Sequence, residues 1–280
     1  MKRWIPFIKS DPTVAVIRLQ GVIAGGSRGV LNDQALAPTI EKAFTRGKPV
    51  AVALEINSPG GSPVQSSLIG SRIRHLAEEK EIPVIAFVED VAASGGYWLA
   101  AAADEIYADP SSVIGSIGVI SAGFGAHELL ARQGVERRVY TAGKSKSMLD
   151  PFRAENQEDV ARLKTLLEGI HTNFIDHVKT RRVGKLDDDA DLFNGTVWLG
   201  QKASELGLID GIGHIGTKLK ELYGEKVRVR RYGVRRPLLS RFGAQVIDDV
   251  IGSIEERAAY AQFGLETMMT KVVVLFLVFM

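Results

Sequence analysis

Apolar and polar positions along the chain form short runs of two alternating kinds. Thr13-Val14-Ala15-Val16-Ile17-Arg18-Leu19, Val50 to Ile56, Val84 to Val88 and Glu105-Ile106-Tyr107-Ala108 are brief, β-branched or near-continuous apolar stretches that predict buried strands. Between them, Leu36 to Arg46 and Val64 to Glu79 read as helices, and the Ala-rich stretch Tyr97 to Ala103 predicts a buried helix. Further on, Glu155 to Arg182 reads as one long helix and Thr196 to Leu206 as another. Strands alternating with helices predict an α/β fold whose largely parallel sheet is covered on both faces. No repeat or interdomain linker breaks the pattern, so residues 1–280 read as a single domain.

Composition adds little to this picture. A chain of 280 residues with 45% hydrophobic content can bury a large core. A net charge of +2 argues against bulk nucleic-acid binding, and the absence of cysteine excludes a disulfide. The N-terminal segment Met1 to Lys9 is too short and interrupted to span a bilayer or act as a secretory signal. At the other end Val272 to Met280 is an uninterrupted apolar run of about half the length a spanning helix needs, which suits a buried interface strand or a shallow tether. The basic segment Val227 to Arg236 suits a solvated edge strand, with contact to anionic lipid as the second reading. The expected location is cytoplasmic, with room for peripheral contact at the inner membrane.

Two turns carry the candidate chemistry. In Val91-Ala92-Ala93-Ser94-Gly95-Gly96-Tyr97-Trp98 a single hydroxyl sits in a small-residue turn between a strand and a helix, where a nucleophile gains from a helix N-terminus. The same serine suits a plain helix cap, with the glycines there for close packing. Upstream, Pro59-Gly60-Gly61 follows an apolar strand, and consecutive glycines leave amide hydrogens unshielded and able to hold an oxyanion. A serine also needs a base. His75, His171 and His177 lie on polar helical stretches, and His127 follows Gly125-Ala126 and His214 follows Gly213 in loop-like sequence, so none is presented by a turn built for it. Lysine is the other candidate. Lys144-Ser145-Lys146 lies in a Gly/Ser loop flanked by Met148, Leu149 and Phe152, which suit an apolar pocket able to bring a lysine down from its usual pKa of about 10.4. Taken alone, two solvated loop lysines are the simpler reading. No His/Asp/Glu set has metal-ligand spacing, so neither a metal nor another cofactor is expected, and Asp187 to Asp191 reads as a solvated acidic loop.

Read in order, Ile56-Asn57-Ser58-Pro59-Gly60-Gly61, Val91 to Tyr97, Ile114-Gly115-Ser116-Ile117-Gly118-Val119, Gly143 to Phe152 and Trp198 to Asp210 resemble the short, bacterial-type signal peptide peptidase A (protease IV) family over about residues 14–216. The remainder, 217–280, reads as a C-terminal extension. The resemblance implies a Clp protease/crotonase-like spiral of β-β-α units and a serine endopeptidase with a Ser/Lys dyad. On these positions it makes Ser94 the nucleophile, Lys146 the general base, Gly61 and Gly95 the oxyanion-hole donors and Ser116 the group that orients Lys146. It further implies peptide substrates, such as remnant signal peptides, and a homo-oligomeric ring, commonly an octamer, in which the dyad can form between subunits. Full members carry an N-terminal membrane anchor. The rival readings are crotonase-type acyl-CoA chemistry and a non-catalytic ring scaffold at the membrane.

Overall fold

The central apolar runs pair as the alternation predicts. β1 (Thr13–Gln20), β2 (Ala51–Ser58) and β3 (Val84–Ala93) lie side by side and parallel, with Val14 opposite Ala51 and Val52 opposite Val84. These positions come from a computed structural model that describes residues 11–26, 31–143, 145–188 and 190–233. The N-terminal segment, Lys144, Asp189, Arg235, Arg236 and the apolar run Val272 to Met280 lie outside the described residues. β2 is buried along nearly its whole length, as a central parallel strand with both faces covered must be. β3 forks: Ile85 to Val88 pair with β4 (Glu105–Ala108), and Val91 to Ala93 pair with β5 (Val113–Gly115), both parallel. β6 (Val197–Leu199) runs antiparallel to β5, β7 (Gly211–Ile212) joins β4, and β8 (Arg228–Tyr232) forms the opposite edge beside β1. The order is β6-β5-β3-β2-β1-β8, an α/β sheet that is parallel except at one pair.

Helices cover the sheet through apolar stripes. α1 (Asp33–Thr45) buries Leu36, Ile40, Ala43 and Phe44, one face at helical spacing, and starts where the Asn32 side chain accepts the Ala35 N–H at 2.8 Å. α2 (Pro63–Lys80) begins with proline at its first position behind Ser62 and buries Ile69, Ile73 and Ala77. α3 (Gly95–Ala101) is buried throughout, while α4 (His127–Arg132) buries nothing. α5 (Gln157–Arg181) contributes Phe174 and Val178 to the core that holds α1, α2 and α3. After α6 (Gly200–Glu205), α7 (Ile215–Tyr223) sets Leu219 over Val14, Val16, Ala53, Ile85 and Phe87 as a second, smaller core. The described residues form two compact units, 11–118 with 174–233 and 119–173.

Two elements differ from expectation for local reasons. β3 continues past Val88 through the half-exposed Glu89 to Val91 because its far end meets β5, a partner that its own sequence does not reveal. The stretch Thr196 to Leu206 is not one helix: Val197, Trp198 and Leu199 form β6, and α6 starts only at Gly200. A valine-tryptophan pair suits a pleated half-buried surface better than a helix turn. The basic segment is an edge strand, β8, as its composition suggests.

Beneath α3, the end of the sheet is tied by a buried ion cluster. Arg182, 2% exposed, donates to Asp210 at 2.6 Å and twice to the Gly207 carbonyl at 3.0 and 2.7 Å. Lys185 reaches the other Asp210 oxygen at 2.6 Å, and the Ile106 N–H donates to the same carboxylate at 2.8 Å. The Tyr97 hydroxyl of α3 donates to the neighbouring Leu208 carbonyl at 2.7 Å, so the cluster steadies the helix that follows Ser94. Burial opposes the charge on Asp210, but hydrogen bonds from Arg182 and Lys185 outweigh it and hold the carboxyl below its usual range. A depressed carboxyl contributes stability that is present above the ordinary carboxylate range and is lost as pH falls through and below it. Arg182→Ala leaves the buried Asp210 charge half-partnered and is expected to cost about 3–5 kcal/mol of unfolding free energy in urea titration at neutral pH. A loss below about 1 kcal/mol, the size typical of an exposed pair, would place the cluster's weight elsewhere.

Candidate active site

Four chain segments meet at the C-terminal ends of parallel strands, where open α/β sheets place their sites. After β1 the chain runs to Ile23, which bridges Gly61 in the turn that follows β2. The Ile23 N–H donates to the Gly60 carbonyl at 2.8 Å, and its carbonyl accepts the Ser62 N–H at 2.7 Å. With the Gly60 carbonyl turned to Ile23 across a planar trans peptide, the Gly61 N–H faces the opposite way. Gly60 and Gly61 hold φ of +101° and +140°, and a Cβ on Gly61 would stand 2.0 Å from the Ile23 carbonyl oxygen. Only glycine fits here.

On the far side of that turn lies the end of β3. Ser94 adopts φ +50° and ψ −123°, a conformation that costs a non-glycine residue about 1–3 kcal/mol and persists only where its surroundings impose it. They do so through backbone: the Ser94 N–H donates to the Gly115 carbonyl of β5 at 2.8 Å, and its carbonyl accepts the Trp98 N–H at 3.0 Å. The hydroxyl does not cap α3. The plain capping role open to this serine in the sequence is therefore not the one it plays. Backbone approach is equally close. A Cβ on Gly60 would lie 2.8 Å from the Ser94 Cβ, one on Gly95 2.4 Å from the Ser66 hydroxyl, and one on Gly96 2.2 Å from the Ser58 carbonyl. Among the described residues, neither the Gly61 nor the Gly95 N–H donates to a protein acceptor. A half-buried serine is thus packed against the glycine turn, and the amides of Gly61 and Gly95 are unspent.

Ser116 follows directly from the strand end that holds Ser94. It has φ +53°, donates its N–H to the Thr196 carbonyl at 2.8 Å, and comes right after Gly115, whose Cα packs on the Trp198 ring. Ser94, Gly95, Gly61 and Ser116 therefore share one unit and one sheet edge. Lys146 belongs to the other unit, on an exposed turn. The apolar pocket expected around it is not closed within that unit. Leu149 and Phe152 are 41% and 40% exposed, and the Phe152 ring packs 5.0 Å from the Arg137 guanidinium, which pairs with Asp150 at 2.9 Å. The acidic side chain of Asp150 draws that arginine over the ring, a contact the loop sequence does not announce.

Three of the histidines have other partners. His75 is exposed beside Glu79, and His214 pairs with Asp109 at 3.4 Å. His177, expected on a polar face, is instead stacked on Trp98 with centroids 4.4 Å apart, its Nε2 3.0 Å from the Trp98 carbonyl. Burial holds its pKa below the usual histidine value. Two residues of the serine site lacked a sequence signal as such: Ile23, whose backbone sets the Gly61 peptide, and Ser58, whose hydroxyl accepts the Gly60 N–H at 3.2 Å.

A strained serine at a strand-to-helix turn, packed against a glycine turn at the C-terminal ends of central parallel strands, is an arrangement that suits acyl transfer. A model of Peptidase family S49 matches residues 77–228, more than half of the chain, and the protein belongs to that family. It is 49% identical over 95% of its length to a protein of Brucella abortus (strain 2308) named Na(+)/H(+) antiporter NhaA, of which it covers 39%. It is 32% identical over 73% of its length to the chloroplastic serine protease SPPA of Arabidopsis thaliana, covering 30% of that protein. A solved 1510-N membrane-bound stomatin-specific protease in complex with a substrate peptide is similar with a TM-score of 0.48 at 17% identity, covering 86% of this chain and 99% of that one. The chain thus spans well under half the length of both curated relatives. Among the described residues no helix is long and apolar enough to cross a membrane.

Proposed function

We propose that this chain is a serine endopeptidase in which Ser94 attacks the peptide carbonyl and Lys146 is its general base. The observation that carries this reading is the strained, uncapped Ser94 beside the free N–H groups of Gly61 and Gly95. Neutral Lys146 removes the Ser94 proton as the oxygen bonds to the carbonyl carbon, and the carbonyl electron pair moves onto an oxyanion held by the two amides. Collapse of the tetrahedral intermediate breaks the C–N bond, and the lysine proton passes to the leaving amine. Water then enters by the same sequence and releases the acyl group. One unspent donor of this kind is worth about 3 kcal/mol in the transition state. Ser116 orients the amine, because a hydroxyl accepts from it without favouring the ammonium as a carboxylate would.

Family membership supports peptides as substrates, and the small residues lining the site favour small or apolar side chains at the scissile bond. Remnant signal peptides and other membrane-derived peptides fit that description. The exposed setting of Lys146 within its own unit supports a homo-oligomeric ring in which a neighbouring subunit covers it. A cytoplasmic protein in peripheral contact with the inner membrane is consistent with such substrates. The transport named for the Brucella relative belongs to a protein of which this chain matches 39%, and it is not carried over.

A fluorophosphonate probe tests the core of the proposal. Wild-type protein is expected to be labelled on Ser94 and to lose peptide cleavage in step with labelling, while Ser94→Ala takes no label. Labelling that persists in Ser94→Ala, or unlabelled wild type that still cleaves, overturns the reading.

A further inference from the structure

The amide donors beside Ser94 work only if they point at the oxyanion before it forms, so the groups that fix the Gly60-Gly61 peptide matter as much as the glycines. Three bonds fix it. Two come from Ile23, which holds the Gly60 carbonyl and the Ser62 N–H. The third comes from a side chain: Ser58, fully buried at the end of β2, accepts the Gly60 N–H on its hydroxyl at 3.2 Å. This last contact is local, from one residue to the second after it, and it determines which way the Pro59-Gly60 peptide faces. The Ser58 backbone is occupied on the other flank, because its carbonyl lies against the Gly96 Cα in the first turn of α3.

We propose that Ser58 is a positioning residue for catalysis, whose hydroxyl locks the Pro59-Gly60-Gly61 turn so that the Gly61 N–H is preset toward the oxyanion. The inference rests on the reading of Ser94 as nucleophile and Gly61 as oxyanion donor. Gly60 can adopt either of two mirror-related backbone regions at little cost, which is why the turn needs an external lock. Without the hydroxyl, the buried Gly60 N–H has no acceptor, and the peptide rotates to find one. That rotation swings the adjacent Gly61 amide off its aim. Ser58 touches no part of the substrate in this scheme, so its loss affects a charge that exists only in the transition state. The expected signature is a fall in kcat with KM preserved.

The experiment compares wild type with Ser58→Ala and Ser58→Cys, the latter keeping a weak acceptor at the same place. Peptide turnover is measured together with the affinity of a peptide boronate, which forms a tetrahedral adduct, and of the matching cleaved peptide acid, which does not. The expected result is a fall in kcat of about tenfold for Ser58→Ala and a smaller one for Ser58→Cys, with boronate affinity falling in parallel and KM and product affinity within twofold. If Ser58→Ala does not fold, as judged by near-UV circular dichroism, the Ser58→Cys values decide. Equal kcat and boronate affinity in wild type and the folded variant, or losses in KM and product affinity as large as those in kcat, overturn the proposal. Ser94→Ala run alongside separates the two levels of argument. An inactive Ser94→Ala with a fully active Ser58→Ala rejects the positioning role alone, whereas an active Ser94→Ala rejects the nucleophile as well.

Discussion

Gly61→Ala is expected to lower kcat/KM by about a hundredfold to a thousandfold while leaving most of the molecule folded. The added methyl has nowhere to go: its ideal position is 2.0 Å from the Ile23 carbonyl oxygen, and φ of +140° is closed to an L side chain. Relief requires the Ile23 bridge to open, which frees the Ser62 N–H and the Gly60 carbonyl and carries the Gly61 amide away from Ser94. The loss is that of one whole oxyanion donor, and it arises without touching the nucleophile. Fluorophosphonate labelling and peptide turnover should fall together, with a thermal midpoint only a few degrees lower, since the turn lies beyond the end of β2 and outside the apolar core. Gly169→Ala provides the contrast. Its site in α5 has nothing within 4 Å of the added methyl, so full activity is expected. Near-normal turnover in Gly61→Ala would remove this amide from the oxyanion hole.

The glycine sensitivity explains which parts of the site could be read from the chain. Pro59-Gly60-Gly61 and Ser94-Gly95-Gly96 are legible because the close approaches at their glycines exclude every other residue type there, and such an exclusion leaves a mark in the sequence. Ile23 leaves none. It acts through its N–H and carbonyl, which any non-proline residue supplies, and the two strands it joins are far apart in the chain. Ser58 is an intermediate case: the residue stands inside a recognisable motif, but a serine before proline says nothing about whether its hydroxyl faces solvent, a helix or the Gly60 amide.

The fold follows the same division. The buried parallel strands and the stripes of α1 and α2 could be read from the chain because a continuous apolar run, or one with helical period, has few other uses. Short β5, β6 and β7 could not. Their two or three residues are strands only because β3, β4 and β5 offer free edges to β5, β7 and β6 in turn, and Trp198 belongs to a strand because Gly115 leaves its Cα open to the ring. The region around Lys146 was harder still. Its apolar residues suggest a pocket, yet within their own unit Leu149 and Phe152 remain exposed and Phe152 serves an arginine. A sequence reveals that apolar surface is available; it does not say which surface covers it.

That exposed apolar surface motivates the second large effect. Lys146→Ala is expected to abolish turnover by a factor on the order of 10⁴–10⁶, as removal of one member of a nucleophile–base pair does in unrelated serine hydrolases. In wild type, turnover should rise with pH as the ammonium gives up its proton, because only the free amine accepts the serine proton. A profile flat from acid to alkaline pH would exclude a lysine base. The way in which the amine is shielded from water can be tested by mixing. Ser94→Ala and Lys146→Ala subunits, each inactive alone, are co-refolded in equal amounts. If the hydroxyl and the amine come from neighbouring copies, random assembly leaves both groups intact at about one quarter of the sites, and turnover should recover to about that fraction of wild type. If both groups act within one chain, every site in the mixture lacks one of them and no activity returns. Dilution separates the cases a second time: a shared dyad loses turnover with assembly at low protein concentration, whereas a dyad within one chain keeps its turnover per subunit. Recovery without any concentration dependence would require an assembly too tight to dissociate over the range tested, and size-exclusion chromatography of the diluted sample would reveal it directly.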